Sequence, residues 1–163
     1  MIDIDVFLRQ HDIPFERIEH PAVFTVEESS KLPPMPGAGT KNLFLRDAKG
    51  SRNILVVVAH EKRVDLKGLK PLLAADKLSF ADPERLMRHL GVTPGSVTLL
   101  GLANDTDHAV EVVIDEELWN ADAMQCHPLT NTATCVIPHD GILAFLKATG
   151  HEARILDVPA RHE

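Results

Sequence analysis

Pro33-Pro34-Met35-Pro36-Gly37 restricts this chain more than any other stretch. Three prolines in four residues fix φ and remove backbone donors, so neither a helix nor a central strand can run through them. The chain then continues as Gly37-Ala38-Gly39-Thr40-Lys41-Asn42-Leu43-Phe44-Leu45, passing from loop into apolar strand. Glycines allow close backbone approach, so this segment brings a lysine and an asparagine to the mouth of a strand. Lys41 offers a hydrated point charge on a flexible stem, suited to an anionic or carbonyl-bearing substrate. A solvated lysine flanking a buried strand is the ordinary alternative.

Strands are expected at 42–46 and 53–59, with Asp47-Ala48-Lys49-Gly50 turning them into a hairpin. Upstream, Asp3 caps a short helix with Ile4, Phe7 and Leu8 inward, and Phe15-Glu16-Arg17-Ile18-Glu19 alternates as a strand. Thr25-Val26-Glu27-Glu28 has capping-box spacing and predicts a helix to about Leu32. Downstream, Asp65 caps a helix with Leu66, Leu69, Leu72 and Leu73 on one face, and Pro71 predicts a kink or a split in it. Asp82-Pro83-Glu84 starts another helix, which Gly91 stops. Strands are expected at 97–102, 110–114 and 132–137. His139-Asp140 opens a last helix ending at Gly150, and 153–158 forms a final strand. Strands outnumber helices and come partly as hairpins. The expected class is therefore α/β (α+β), a mixed, barrel-like sheet wrapped by helices in one domain over 1–163.

Composition narrows the function classes. Hydrophobic content of 44% and charged content of 25% belong to a globular chain, not a disordered one. Ile54-Leu55-Val56-Val57-Val58-Ala59 is strand-length, and no apolar run approaches the ~20 residues of a membrane helix. Met1-Ile2-Asp3-Ile4-Asp5 lacks the basic and apolar regions of a signal peptide, and Cys126 and Cys135 suit a reducing compartment, so a cytoplasmic location is expected. Net charge is −7, yet residues 41–88 hold 11 of the 17 Lys and Arg and 6 of the 24 Asp and Glu. A basic half on an acidic protein can grip a short piece of RNA while avoiding indiscriminate binding. Solvated helix faces around Lys62, Arg63, Lys67 and Lys70 are the competing account.

Three further segments carry chemistry-bearing groups. Gly91-Val92-Thr93-Pro94-Gly95-Ser96-Val97-Thr98 is a loop whose N–H groups can cradle a carbonyl oxygen or phosphate, or simply connect two elements. Cys126-His127-Pro128-Leu129-Thr130-Asn131-Thr132 places an imidazole at a proline-marked boundary. His20-Pro21-Ala22-Val23-Phe24-Thr25 reads as a helix entry with a packed aromatic. Metal spacing is absent: no histidines stand at i, i+4, and the two cysteines are nine apart. There is no P-loop, dinucleotide fingerprint or Gly-x-Ser-x-Gly elbow, and no cofactor is expected.

Taken in order, His20-Pro-Ala-Val-Phe-Thr-Val-Glu-Glu, Thr40-Lys-Asn-Leu-Phe-Leu-Arg, Leu78-Ser-Phe-Ala, Gly91-Val-Thr-Pro-Gly-Ser-Val-Thr and His127-Pro-Leu-Thr-Asn-Thr-Ala-Thr resemble one family. The chain is similar to the YbaK-like, prolyl-tRNA-synthetase-associated editing domains over about residues 5 to 158, most of all to free-standing members that deacylate alanyl-tRNA(Pro). The resemblance implies hydrolysis of the ester joining a wrong amino acid to the terminal adenosine of tRNA, without a metal. It implies Lys41 as the key catalytic residue, Asn42 and His127 lining the site, and Gly95, Ser96, Val97 and Thr98 holding the terminal nucleotide or the ester. Phe44, Val97 and Leu100 are the expected apolar walls, and Arg46 and Lys77 the expected grip on the acceptor stem. The implied partner is the acceptor end of tRNA(Pro) carrying a small wrong amino acid, with prolyl-tRNA synthetase a candidate second partner. One departure stands out: the family's loop is usually Gly-x-x-x-Pro, and here Leu99 takes the proline's place. The alternatives are a cysteinyl-tRNA(Pro) deacylase and a catalytically silent tRNA-binding module of the same fold.

Overall fold

Local capping sets the first element. Asp3 accepts a hydrogen bond from the Val6 N–H at 3.2 Å and starts α1 (Ile4–Gln10), which turns Ile4 and Leu8 into the core. The computed structural model describes residues 2–22 and 34–161, so the helix expected at 25–32 lies outside the described residues. There follow β1 (Glu16–Glu19), β2 (Thr40–Asp47), β3 (Asn53–Ala59), α2 (Leu66–Leu72), β4 (Leu78–Phe80) and α3 (Pro83–Leu90). After two 3₁₀ turns, Pro94–Ser96 and Leu99–Asn104, come β5 (Val110–Asp115), α4 (Glu116–Trp119), β6 (Ala123–Cys126), β7 (Ala133–Pro138), α5 (His139–Thr149) and β8 (Ala153–Leu156).

The strands form two sheets and not a closed barrel. One has the order β1-β7-β6, all antiparallel; the other has the order β4-β2-β3-β5-β8. β2 pairs antiparallel with β3 and β4, while β3, β5 and β8 run parallel, which makes this the mixed sheet. The expected hairpin is present, and the Asp47 carboxylate closes its turn by accepting from the Ser51 N–H, the Ser51 hydroxyl and the Arg52 N–H. Every residue from Asn53 to Val58 is buried, because both faces of β3 are covered. Phe44, Leu55 and Val57 face the main core with Leu8, Leu100 and Phe145. Leu45, Ile54, Val56 and Val58 face a second cluster with Leu69 and Leu73 of the α2 region.

Three expectations need correction. The run 97–102 is not a strand: Leu99–Asn104 is a buried 3₁₀ segment, started when Thr98 Oγ1 accepts from the Leu100 N–H. A short apolar run fits a buried helix turn as well as a strand, and a Cβ on Gly101 would lie 3.0 Å from the Leu90 carbonyl oxygen, so α3 packs close against it. Asp65 makes no side-chain cap to α2, and Leu72 lies 43% exposed while Leu69 is buried. β4, α4 and β6 had no expectation at all, being three or four residues long. By contrast α3 and α5 end as capping chemistry predicts, at Gly91 and Gly150 in the left-handed region.

A buried ion pair fixes the segment that follows β8. Lys62 Nζ donates to Asp115 Oδ2 at 2.9 Å and to the Val158 carbonyl at 2.7 Å, and Asp115 Oδ1 accepts from the Val158 N–H at 3.0 Å. Asp115 is fully buried, so removing it strands the ammonium with little water to solvate it. Asp115→Ala is expected to cost about 3–5 kcal/mol in urea unfolding. A loss below ~1 kcal/mol would show that the pair does not hold the fold together.

Candidate functional site

The two sheets meet where the proline-rich stretch gives way to β2. Ala38 N–H donates to the Ala123 carbonyl and Gln125 N–H to the Ala38 carbonyl, each at 2.9 Å. Thr40 Oγ1 donates to the Gln125 carbonyl at 2.5 Å. Gln125 Nε2 lies 3.2–3.3 Å from the carbonyls of Met35, Pro36 and Gly37, satisfying acceptors in a stretch whose own backbone cannot form a ladder. Gly37 sits at φ +84°, and a Cβ there would lie 3.3 Å from the Ala123 carbonyl oxygen. Glycine is what this close approach requires.

From this joint the pleat of β2 sends consecutive side chains to opposite faces. Lys41, opposite Val58, joins Leu43 on the α2 side of the sheet. There it lines an open cavity of about 660 Å³ with Arg63, Lys67, Arg161 and Phe80. Burial pushes the Lys41 ammonium below its usual range, and the neighbouring Arg63 charge adds to the shift. Asn42, opposite Val57, faces the main core side. The sheet therefore separates two residues that adjoin in sequence.

Two buried polar atoms lack a protein partner among the described residues: Asn42 Oδ1, on the core face of β2, and His127 Nδ1, just after β6. Each is an acceptor whose isolation costs roughly 1–3 kcal/mol unless a ligand or water meets it. Burial lowers the His127 pKa, a backbone hydrogen bond at Ala133 opposes this, and the nearby His20 lowers it further. The imidazole is thus neutral near pH 7 and can accept at Nδ1. The His127 carbonyl accepts from Thr98 Oγ1 at 2.6 Å, which ties the 3₁₀ loop to the end of β6. His20 is set by two bonds, Nδ1 to the Pro21 carbonyl and Nε2 to Thr134 Oγ1.

The other expected residues scatter. Ser96 and Thr98 are buried, and the Ser96 N–H already donates to Thr93, so it is not an open donor for a ligand. Gly95 and Val97 are half-buried beside them, and Val97 packs on the main core. Phe44 and Leu100 lie inside that core. The Arg46 guanidinium donates to the Asp47 and Ala48 carbonyls at the hairpin turn, and Lys77 is exposed just before β4. Neither borders the Lys41 cavity. Lys67, Phe80 and Arg161 do; Phe80 stands in the motif Leu78-Ser-Phe-Ala and Lys67 in the basic stretch, neither singled out for the site, and Arg161 stands in no motif. The Cys126 and Cys135 thiols are opposite each other in register and burial pushes both up to about 12, so neither is a nucleophile near pH 7. Among the described residues no three His, Cys, Asp or Glu side chains are grouped to hold a metal ion, and no helix is long and apolar enough to cross a membrane.

Residues 20–145 match the aminoacyl-tRNA editing domain family. The chain is 37% identical over 147 residues to the prolyl-tRNA editing protein ProX of Acetoanaerobium sticklandii, covering 90% of each. It is 40% identical over 157 residues to the prolyl-tRNA synthetase associated domain-containing protein 1 of Danio rerio, covering 94% of this chain and 85% of that one. The fold is similar to the crystal structure of a candidate trans-editing enzyme for prolyl-tRNA synthetase, with a TM-score of 0.69 at 23% identity over 90% of this chain and 87% of the other.

The lowered His127 pKa has a definite sign. As pH falls, the unfolded chain takes up its imidazole proton first, so this contribution to stability is full above about 6.5 and is lost as pH drops through the folded-state midpoint. His127→Asn should therefore lose less stability than the native protein between pH ~7 and ~5.5, measured by urea unfolding. Ring-proton NMR should place the His127 midpoint below about 6.5. A midpoint at or above that value contradicts the neutral, accepting imidazole.

Proposed function

We propose that this chain, which belongs to the aminoacyl-tRNA editing domain family, removes alanine wrongly esterified to tRNA(Pro). It is an aminoacyl-tRNA deacylase, a hydrolase of the ester between an amino acid and the terminal ribose of tRNA. The names of its relatives support tRNA(Pro) as the carrier. The observation that carries the reading is the pair of orphaned acceptors, Asn42 Oδ1 and His127 Nδ1. An aminoacyl ester presents an α-ammonium group with hydrogens to donate, which is the chemistry these atoms lack.

In this reading the substrate lies across the start of β2. The amino acid meets the Asn42 and His127 side, and the nucleotide meets the Lys41 side. Water adds to the ester carbonyl, and its C=O becomes an oxyanion. Collapse breaks the bond to the ribose oxygen, which takes a proton, and alanine and tRNA leave. Aminoacyl esters are already activated, so placing the water and stabilising the oxyanion can suffice. Lys41 supplies the positive charge, and its partial burial keeps that charge less screened than a surface lysine's.

Selectivity follows from size. A proline pocket discriminates weakly against a smaller side chain, since a methylene is worth ~1–3 kcal/mol. An editing site too narrow for proline can hydrolyse alanine and spare the correct product. The test is single-turnover deacylation of alanyl-, cysteinyl- and prolyl-tRNA(Pro), with Lys41→Ala alongside. Alanine should be released and proline retained, and the variant should be slower by roughly 10²–10³. Preference for cysteine would keep the reaction and change the substrate. No release from any of the three would leave a tRNA-binding module.

A further inference from the structure

We propose that the cavity on the α2 side of β2 is a subsite for the single-stranded 3′ end of tRNA, with phosphates on Lys67 and Arg161 and a base stacked on Phe80. The identity of the RNA rests on the deacylase reading; the chemistry of the cavity does not. Among the described residues Lys41, Arg63, Lys67 and Arg161 line it, against one acid, Asp65. Leu43 and Leu66 supply an apolar floor. Phe80 is 61% exposed, on an edge strand, and so lies outside the core that the other strand residues build. A cation-lined cavity with an open aromatic face is the combination that holds unpaired nucleotides, since every base has a π-face and every link a phosphate. At about 660 Å³ it has room for a nucleotide or two.

Arg161 is held at this cavity by more than its own side chain. Its N–H donates to the Arg63 carbonyl at 2.7 Å, Ala160 bridges Val64 antiparallel, and the Asp65 N–H donates to the Pro159 carbonyl at 2.8 Å. The Lys62–Asp115–Val158 clasp anchors the root of the same segment. Burying that pair carries a desolvation cost, so it is better read as fixing a position than as adding stability. What it positions is residues 159–161, laid along 63–65 as one wall of the cavity.

The experiment measures binding of uncharged tRNA(Pro), and of the same tRNA lacking its terminal CCA, by fluorescence anisotropy at several salt concentrations. The native protein should prefer the intact end by about tenfold. Arg161→Ala and Phe80→Ala should lose most of that preference, and Arg161→Lys should keep it. Arg161→Ala should also flatten the salt slope by about 0.7, the value for one phosphate on a single strand. Unchanged urea midpoints show that the variants are folded. Variants that keep the native end preference, or a native protein with none, overturn the subsite. If native protein releases alanine while both variants keep the preference, the subsite fails and the deacylase reading stands. If nothing is deacylated but the preference depends on Arg161 and Phe80, the converse holds.

Discussion

The hydrogen bonds that join residues 38–40 to β6 are the contact on which the rest of the site depends. They weld the three-stranded sheet to the five-stranded one. They also decide where β2 begins, and therefore which face each following side chain takes. A one-residue slip would send Lys41 to the core and Asn42 to the outer cavity. The prolines upstream help by leaving no competing regular structure, and Gln125 meets the carbonyls they leave open.

With that register set, one strand serves two environments. The outer side combines cations with an exposed aromatic ring, and the inner side carries the unmet acceptor of Asn42, with a second on the neutral His127 imidazole after β6. Under the proposed reading, such a division matches an aminoacyl-tRNA end, polyanionic on one side and bearing an amino acid on the other. The charge distribution follows the same logic. The basic stretch 41–88 supplies Lys41, Arg63 and Lys67, and the otherwise acidic remainder contributes Arg161 through a segment that folds back.

Much of the architecture was legible because it is set by local rules. Asp3 and Asp82 cap their helices, Gly91 and Gly150 end theirs, and the 47–50 turn closes the hairpin. The run at 97–102 was misread because apolar residues without period do not distinguish strand from buried 3₁₀ turn. β6 escaped because Ala123–Cys126 is short and gains its identity from β7 and Ala38. Lys41, Asn42 and His127 were singled out from short motifs; Phe80 falls inside the motif Leu78-Ser-Phe-Ala but gained its meaning only from the fold, and Arg161 belongs to no motif.

The ordered motifs were enough to mark the resemblance to the family and, through that resemblance, the ester-hydrolysing class. Which side of the sheet each of them serves was beyond sequence. Lys41 and Asn42 are neighbours by one peptide bond and strangers across a sheet, and only the pairing of β2 with β3 and its joint to β6 make them so. Side-chain alternation is a local rule, but what waits on each face is assembled from residues up to 120 positions away, such as Arg161 beside Lys41. That assembly is tertiary because it depends on burial and long-range pairing, which no window of sequence contains.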